Sequence, residues 1–207
     1  MNSISPASRK GPGRIIGWII GLVVLFVLAI LAFVYSGLYN VGADSPHTKL
    51  VYWLLDTARD RSVAARAESV LPPPDLQDKD RIAAGSGLYA EMCTGCHLAP
   101  GMEKTEISQG LYPAAPDFSH GNDLTPREQF WVIKHGIKAS GMAAWGKTHN
   151  DTLIWDMVAF LQQEGNLSPE QYQALVKSAP EDHDEMMEDQ DANHGDADHD
   201  HADQAQP

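Results

Sequence analysis

The chain has 207 residues and a net charge of −13, with 15 basic and 28 acidic residues. A chain of that length accommodates one ordinary domain with additional segments. The acidity is concentrated at the C-terminus, because residues 181–207 contain eleven acidic and no basic residues, which leaves seventeen acidic against fifteen basic residues elsewhere. Since no cluster of basic residues of the kind that binds nucleic acid is present, we set that class of function aside.

An uncharged run of 21 residues, 15–35, is long enough to cross the hydrocarbon core of a bilayer as a helix. Arg9, Lys10 and Arg14 precede the run closely, whereas the first basic residue after it is Lys49. The positive-inside rule therefore makes residues 1–14 cytoplasmic and exports the rest. A cleaved signal peptide, with Val41-Gly42-Ala43 as the cleavage site, is the alternative. Because signal h-regions usually span only about 7 to 15 residues, a retained anchor is favoured.

Residues 36–78 form a juxtamembrane segment whose first part predicts an apolar helix. Its apolar cluster consists of Leu50, Val51, Trp53, Leu54 and Leu55. Further along, Pro72-Pro73-Pro74 stops any helix and indicates a stiff, extended spacer. We interpret the segment as a stalk whose apolar face rests on the following domain or on the bilayer. A docking surface for a membrane partner is the alternative.

Three helices with irregular chain between them are predicted within residues 79–167. The first covers 80–91. Thr125-Pro126-Arg127-Glu128 combines a capping box with proline at the first helical position and begins the second. The third begins at 149–151 and ends near Gly165. Because no sustained period-two alternation occurs, the domain is predicted to be all-α.

The motif Cys93-Thr94-Gly95-Cys96-His97 contains both cysteines of the chain. Its C-x-x-C-H pattern is that of a c-type haem attachment site, in which each sulfur bonds one vinyl group and the histidine becomes the proximal iron ligand. A structural zinc site would need four ligands, and a thioredoxin-like pair would lie in an α/β chain. A disulfide or redox dithiol stays open as an alternative, but it leaves His97 without a role. Covalent haem attachment of this kind occurs outside the bacterial cytoplasm, in agreement with export.

A methionine thioether opposite the histidine is usual in an electron-transfer haem site. The candidates are Met92, Met102, Met142 and Met157. Met142 is favoured because it lies in an irregular segment between two predicted helices, with Gly141 and Gly146 on either side, so that the chain can wrap around the haem. His135 and His149 are the fallback ligands.

Residues 80–165 resemble a class I cytochrome c, the small monohaem type with His/Met ligation. Gly85 and Tyr89 precede the motif where that family has the glycine and the aromatic residue of its N-terminal helix. Ala159-Phe160-Leu161 is similar to the aromatic stretch of its C-terminal helix. The resemblance implies a cytochrome c fold in which these two helices cross tightly at the glycine.

Two further segments carry this resemblance. Pro116-Asp117-Phe118 is similar to the family segment whose proline carbonyl accepts the ring N–H of the proximal histidine. Pro113 competes with Pro116 for that role. Residues 130–138, followed by Gly141-Met142, resemble the membrane-anchored bacterial branch of the family.

Residues 168–207 begin with a short helical piece and continue as an acidic tail, for which metal binding is one hypothesis. Its histidines are His183, His194, His199 and His201. Imidazole suits Cu(II) and Zn(II), and the thioethers of Met186 and Met187 suit Cu(I). The alternative is a solvated, disordered extension, which strongly charged segments with few apolar residues favour.

These features predict an electron carrier rather than an enzyme, because two filled axial positions leave no open site on the iron. The expected protein is a monohaem cytochrome c with one covalent haem c, tethered by residues 15–35 to a bacterial inner membrane with its haem domain in the periplasm. Expected partners are redox proteins at the same membrane, such as a quinol-oxidising complex and a terminal oxidase or periplasmic reductase. The alternatives are a fixed haem-relay subunit of a membrane oxidoreductase complex and a copper-handling protein acting through the tail.

Overall fold

The computed structural model describes residues 12–180, and its regular secondary structure is helical. The α-helices are α1 Pro12–Tyr35, α2 Lys49–Ala67, α3 Lys79–Met92, α4 Thr94–His97, α5 Glu106–Gly110, α6 Pro126–His135, α7 Asp151–Glu164 and α8 Pro169–Lys177. Because the described residues contain no strand, the all-α prediction is confirmed. The tail histidines and most of the predicted cytoplasmic end lie outside the described residues. The chain divides after Ser45 into two compact units.

The first unit contains α1, within which Gly13–Tyr35 is long and apolar enough to cross a membrane. At 1.5 Å per residue, the 24 residues of α1 extend about 36 Å, which exceeds the roughly 30 Å hydrocarbon core of a bilayer. The helix ends where the Ser36 hydroxyl donates to the Phe33 carbonyl oxygen at 2.6 Å and Gly37 adopts a φ of 67°. No other described helix meets the same criteria of length and apolarity.

The second unit is built around the crossing of α3 and α7. The two backbones approach so closely at Gly85 that a Cβ there would lie 1.9 Å from the carbonyl oxygen of Asp156. One turn further along α3, the ring of Tyr89 packs against Phe160, with 5.1 Å between the ring centroids. This arrangement confirms the crossing at glycine that the sequence resemblance implies. Both rings are almost completely buried.

A partly buried ion pair links the same two helices. Arg81 of α3 contacts the Asp156 carboxylate at 2.5 Å and reaches Asp75, which precedes α3, at 3.0 Å. Burial raises the pKa of Asp156 to about 6, although the guanidinium opposes this shift. Asp78 caps α3 by accepting hydrogen bonds from the backbone N–H groups of Asp80 and Arg81. The pair therefore fixes the start of α3 against the middle of α7.

Helix α6 completes the core on the other side of α7. Its N-terminus has the predicted arrangement, since the Glu128 carboxylate accepts hydrogen bonds from the backbone N–H of Thr125 at 2.9 Å and from its hydroxyl at 2.7 Å. Phe130 stacks on Trp155 of α7, with ring centroids 4.2 Å apart. The two rings join α6 to the core built by α3 and α7.

Helix α2 packs on α6 through its C-terminal part, where Val63 and Ala67 are buried. The Arg127 guanidinium donates to the Glu68 carbonyl oxygen at 3.4 Å, just past the end of α2. Helix α8 packs on α3. Its Tyr172 is buried, with its ring centroid 6.0 Å from that of Phe160. Segments on both sides of the predicted haem domain thus contribute to the same compact unit.

We expect Gly85→Ala to destabilise the protein by about 2 kcal/mol or more, because the added methyl group must displace the backbone of α7. Gly110→Ala is the matched control, since a Cβ at Gly110 meets nothing within 4 Å. Chemical denaturation of the haem-loaded protein measures the difference. Equal stability of the two variants would contradict the close crossing.

Candidate haem site

The C-x-x-C-H motif lies on one turn of helix directly after α3. The Cys93 N–H donates to the Tyr89 carbonyl oxygen at 2.9 Å, which continues the hydrogen bonding of α3 into the motif. The backbone N–H groups of Cys96 and His97 both donate to the Cys93 carbonyl oxygen, at 3.1 and 2.8 Å. Residues three apart on a helical turn share a face. The position of α3 therefore sets the positions of both sulfur atoms.

The chain reverses immediately after His97. Leu98 has a φ of 63°, in the left-handed region that disfavours a side chain. Its side chain is nevertheless buried, and its carbonyl oxygen accepts a hydrogen bond from the Tyr89 hydroxyl at 2.8 Å. Because these contacts hold the unusual backbone, the imidazole of His97 is presented at the end of a short, rigid turn.

The His97 ring is oriented by two neighbours from the segment that precedes α6. Its Nδ1 lies 2.9 Å from the carbonyl oxygen of Pro116, so this nitrogen carries the proton and Nε2 keeps a free lone pair. The ring stacks on Phe118, with centroids 4.6 Å apart and planes at 9°. Burial lowers the pKa of His97, which favours the neutral imidazole that binds metals.

The environment of Cys93 differs from that of a reactive thiol in a redox pair. Both sulfur atoms are free and half-buried. Burial, with smaller contributions from Glu164 and Cys96, raises the pKa of Cys93 to about 12. Reactive thiols in C-x-x-C redox pairs have lowered pKa values instead. The environment of Cys93 therefore favours a structural or cofactor-bound sulfur over a redox-active thiolate.

Met142 lies on a loop that returns toward α6. Gly136 ends α6 with a φ of 63°, and a Cβ there would lie 2.7 Å from the carbonyl oxygen of Met142. That oxygen accepts a hydrogen bond from the Ile137 N–H at 3.2 Å, and the Met142 N–H donates to the Ser140 hydroxyl at 3.1 Å. The half-buried Met142 side chain packs against the hydrophobic core. Glycine at position 136 is thus required for the loop to close.

The other candidate ligands have different environments. Met102 is 42% exposed, whereas Met157 is 1% exposed inside the core of α7. Met92 is half-buried at the end of α3, next to the motif itself. The His135 ring packs near Trp131, and His149 is buried near Trp145. Met142 therefore combines partial burial with a position on an irregular loop, as an axial ligand requires.

Two residues of the predicted site, Cys93 and Met142, border the same hydrophobic core. Partly buried side chains that pack against the hydrophobic core include Cys93, Phe118, Met142 and Trp145. Two thiols on one turn, an imidazole of fixed tautomer and a half-buried thioether are the donor set of a covalent haem with His/Met ligation. Among residues 12–180 no group of three or more His, Cys, Asp or Glu side chains is arranged to hold a metal ion. The donor set fits haem c.

The sequence model of the family described as cytochrome c oxidase, cbb3-type, subunit III matches residues 80–161. The match includes the C-x-x-C-H motif, both helices of the crossing and Met142. This domain is a class I c-type cytochrome. The cytochrome domain carries one covalently bound haem c and transfers electrons. No curated protein and no solved structure matches the chain.

The cytochrome domain also contains a buried acid that the sequence does not reveal. Glu164, the last residue of α7, is 0% exposed, and neither carboxylate oxygen has a hydrogen-bond partner in the described structure. Burial raises its pKa to about 8; the nearby Tyr89 hydroxyl lowers it and Asp117 adds to the rise. A glutamate in the last turn of a helix, between Gln163 and Gly165, ordinarily faces solvent, so no sequence signal marks it.

The buried Glu164 makes stability depend on pH. Because the pKa of Glu164 is about 8 in the folded state and the ordinary glutamate pKa is 4.5, the folded state holds a proton that the unfolded state loses. The free energy of unfolding should therefore be highest below pH 4.5 and fall as pH rises toward 8, by up to about 1.4 kcal/mol per pH unit. In Glu164→Gln this contribution should disappear.

Denaturant unfolding of the haem-loaded protein across this pH range measures the effect. Glu103→Gln is the matched control, since Glu103 is exposed. If the free energy of unfolding of Glu164→Gln depended on pH as steeply as that of the wild type, the buried Glu164 carboxyl could not be the cause of the pH dependence.

Proposed function

We propose that the protein is a membrane-anchored periplasmic monohaem cytochrome c that carries single electrons between respiratory redox proteins. The observation that carries the proposal is the His97 imidazole, hydrogen-bonded to the Pro116 carbonyl oxygen with its Nε2 free, on the same turn as the two cysteines. An imidazole oriented in this way is typical of a metal ligand, and a dithiol has no need of one. A structural zinc site would need four ligands, and the described residues contain no group of three or more His, Cys, Asp or Glu side chains arranged to hold a metal ion.

Each residue of the site has a distinct role in this proposal. The thiols of Cys93 and Cys96 would hold the haem through thioether bonds to its two vinyl groups, while His97 Nε2 and the Met142 thioether would be the iron ligands. The Pro116 carbonyl oxygen keeps the proton on Nδ1 and makes the imidazole a stronger donor. When bound, haem c supplies an iron centre that gains and loses one electron. Because the protein would provide both of these ligands, no coordination site would be left for a substrate, which supports a carrier.

The proposed location rests on α1 and on charge. Arg9 and Lys10 precede α1 and Arg14 lies in its first turn, whereas residues 36–48 contain no basic residue. This asymmetry favours a cytoplasmic N-terminus. The uninterrupted length of α1 favours a retained anchor over a cleaved signal peptide, whose apolar region is shorter. The donors and acceptors that fit a tethered carrier are proteins of the same membrane, such as a quinol-oxidising complex and a terminal oxidase or periplasmic reductase.

A second candidate function is a fixed haem relay within a membrane oxidoreductase complex. The observation in its favour is the family match, because that family is described as a subunit of cytochrome c oxidase. The shuttle is preferred because much of the chain, including α1 and α2, lies outside the matched residues 80–161.

Optical spectroscopy tests the axial ligand. Oxidised wild-type protein should show the weak thioether-to-iron charge-transfer band, and Met142→Ala should lose it while keeping its covalent haem. Met102→Ala should keep the band, because this side chain is exposed. Met157→Ala should also keep it, although the cavity in α7 should lower stability by about 2 to 5 kcal/mol. Loss of the band in either control, or its retention in Met142→Ala, would exclude the assignment.

Purification in mild detergent separates the two candidate functions. We expect the free carrier to elute as one haem-containing species without other subunits, because transient redox contacts bury little surface. The measurement is size exclusion with subunit identification by mass spectrometry. Elution with other membrane proteins in fixed stoichiometry would favour the relay subunit.

A further inference from the structure

The first turn and a half of α2 is apolar and uncovered. Its exposed large residues are Leu50, Tyr52, Trp53, Leu54 and Leu55, each at least 45% exposed. The remainder of the helix is different, because its polar residues face solvent while Val63 and Ala67 are buried against α6. We call residues 50–55 the apolar tip of α2. No acidic residue lies in the tip, and Lys49 precedes it.

The exposed side chains surround the helix instead of forming one stripe. Successive residues of an α-helix are rotated by about 100°, so Leu50 and Trp53 share one face of the helix, whereas Tyr52 and Leu55 point away from it. Trp53 and Leu55 lie roughly 160° apart by this rule. A flat protein surface, including a second copy of α2, covers one side of a helix only. A segment that is apolar around its circumference is suited to immersion in an apolar medium.

The apolar tip is held rigidly on the cytochrome domain. Just before α2, the His47 N–H donates to the Tyr112 hydroxyl at 2.9 Å, and the two rings meet edge to face at 5.3 Å. At the other end, the buried Val63 and Ala67 fix α2 on α6. Because both ends are attached, the tip has a fixed orientation relative to the domain.

The segment between α1 and α2 is short enough for the apolar tip to reach a membrane that α1 would span. Thirteen residues, 36–48, connect the end of α1 to the start of α2, and such a segment spans at most about 45 Å when fully extended. The tip is about 9 Å long at 1.5 Å per residue. Interfacial helices lie at the boundary between headgroups and acyl chains, where their apolar side chains are buried to about 5–10 Å, and a tip of this size can be accommodated there. Tyr52 and Trp53 are of the type enriched at this boundary.

We propose that the apolar tip of α2 inserts into the outer leaflet of the membrane that α1 spans, as a second contact between the cytochrome domain and lipid. The inference rests on the proposed anchoring through α1. A domain attached through a linker alone can rotate relative to the membrane. An inserted tip would restrict this rotation and so orient the cytochrome domain. Tyr112, which holds the start of α2, belongs to the same connecting segment as Pro116, the partner of His97.

The experiment uses the full-length, haem-loaded protein in vesicles of phosphatidylethanolamine and phosphatidylglycerol. The photoreactive residue p-benzoylphenylalanine is placed singly at Trp53, at Leu55 and, as the matched control, at Ile107 of α5, which is 58% exposed. Adducts are identified by mass spectrometry after irradiation. An unchanged haem absorption spectrum establishes that each variant is folded.

We expect lipid adducts at both Trp53 and Leu55, severalfold above the level at Ile107. Adducts at one of the two positions alone would mean a one-sided contact, and adducts at neither would mean a tip in water. Either result overturns the inference. So would predominant cross-links to a protein when the same variants are irradiated in native membranes.

A second measurement needs no substitution. A lipid-soluble diazirine reagent applied to wild-type protein in the same vesicles should label residues 50–55 as well as α1, and labelling of α1 alone would contradict insertion. Intact-mass measurement of the mature protein tests the anchor separately. If residues 1–35 are absent from the mature chain, the proposed anchoring fails; if they are present and the tip is unlabelled, only the insertion fails.

Discussion

The contact on which the cytochrome domain depends is the crossing of α3 and α7 at Gly85. No side chain separates the two backbones there, so α3 cannot slide or rotate against α7 without a clash. Cys93 continues the hydrogen bonding of α3, and the next turn carries Cys96 and His97. The position of the haem-attachment residues is therefore fixed by a backbone contact about eight residues earlier in the chain. The Arg81–Asp156 ion pair strengthens the same crossing from its N-terminal side.

The second half of the site comes from chain outside the α-helices. Pro116 and Phe118 reach the His97 ring from the segment before α6, and Met142 lies on the loop after it. Phe118 and Met142 pack against the hydrophobic core. Segments outside the α-helices thus supply the proposed ligand Met142 and the group that orients His97, while the helices supply rigidity. This division suits an electron carrier, whose ligands need to keep their places in both oxidation states.

The sequence predicts well those features that local chemistry determines. The capping box at Thr125, the start of α7 within residues 149–151 and the C-x-x-C-H motif can each be recognised from a few adjacent residues, and the glycine of the crossing follows from the family resemblance. Features that depend on tertiary contacts are not legible in this way. Whether Pro113 or Pro116 meets His97 depends on how a loop folds over the motif. The burial of Glu164 depends on the packing of Tyr89 and neighbouring elements around the end of α7. The position of α6 determines which part of α2 is buried and which part stays exposed.

The left-handed backbone of Leu98 imposes opposite demands on one position. Glycine would adopt its φ of 63° most readily, but it would leave a gap where a leucine side chain is buried. Leucine fills that gap and accepts conformational strain directly behind the proximal imidazole. Replacing Leu98 by glycine would relieve the backbone strain but leave a cavity, whereas any larger residue would keep the strain. Natural variation at this position should consequently be narrow, and redesign of the domain for greater stability has little to gain there.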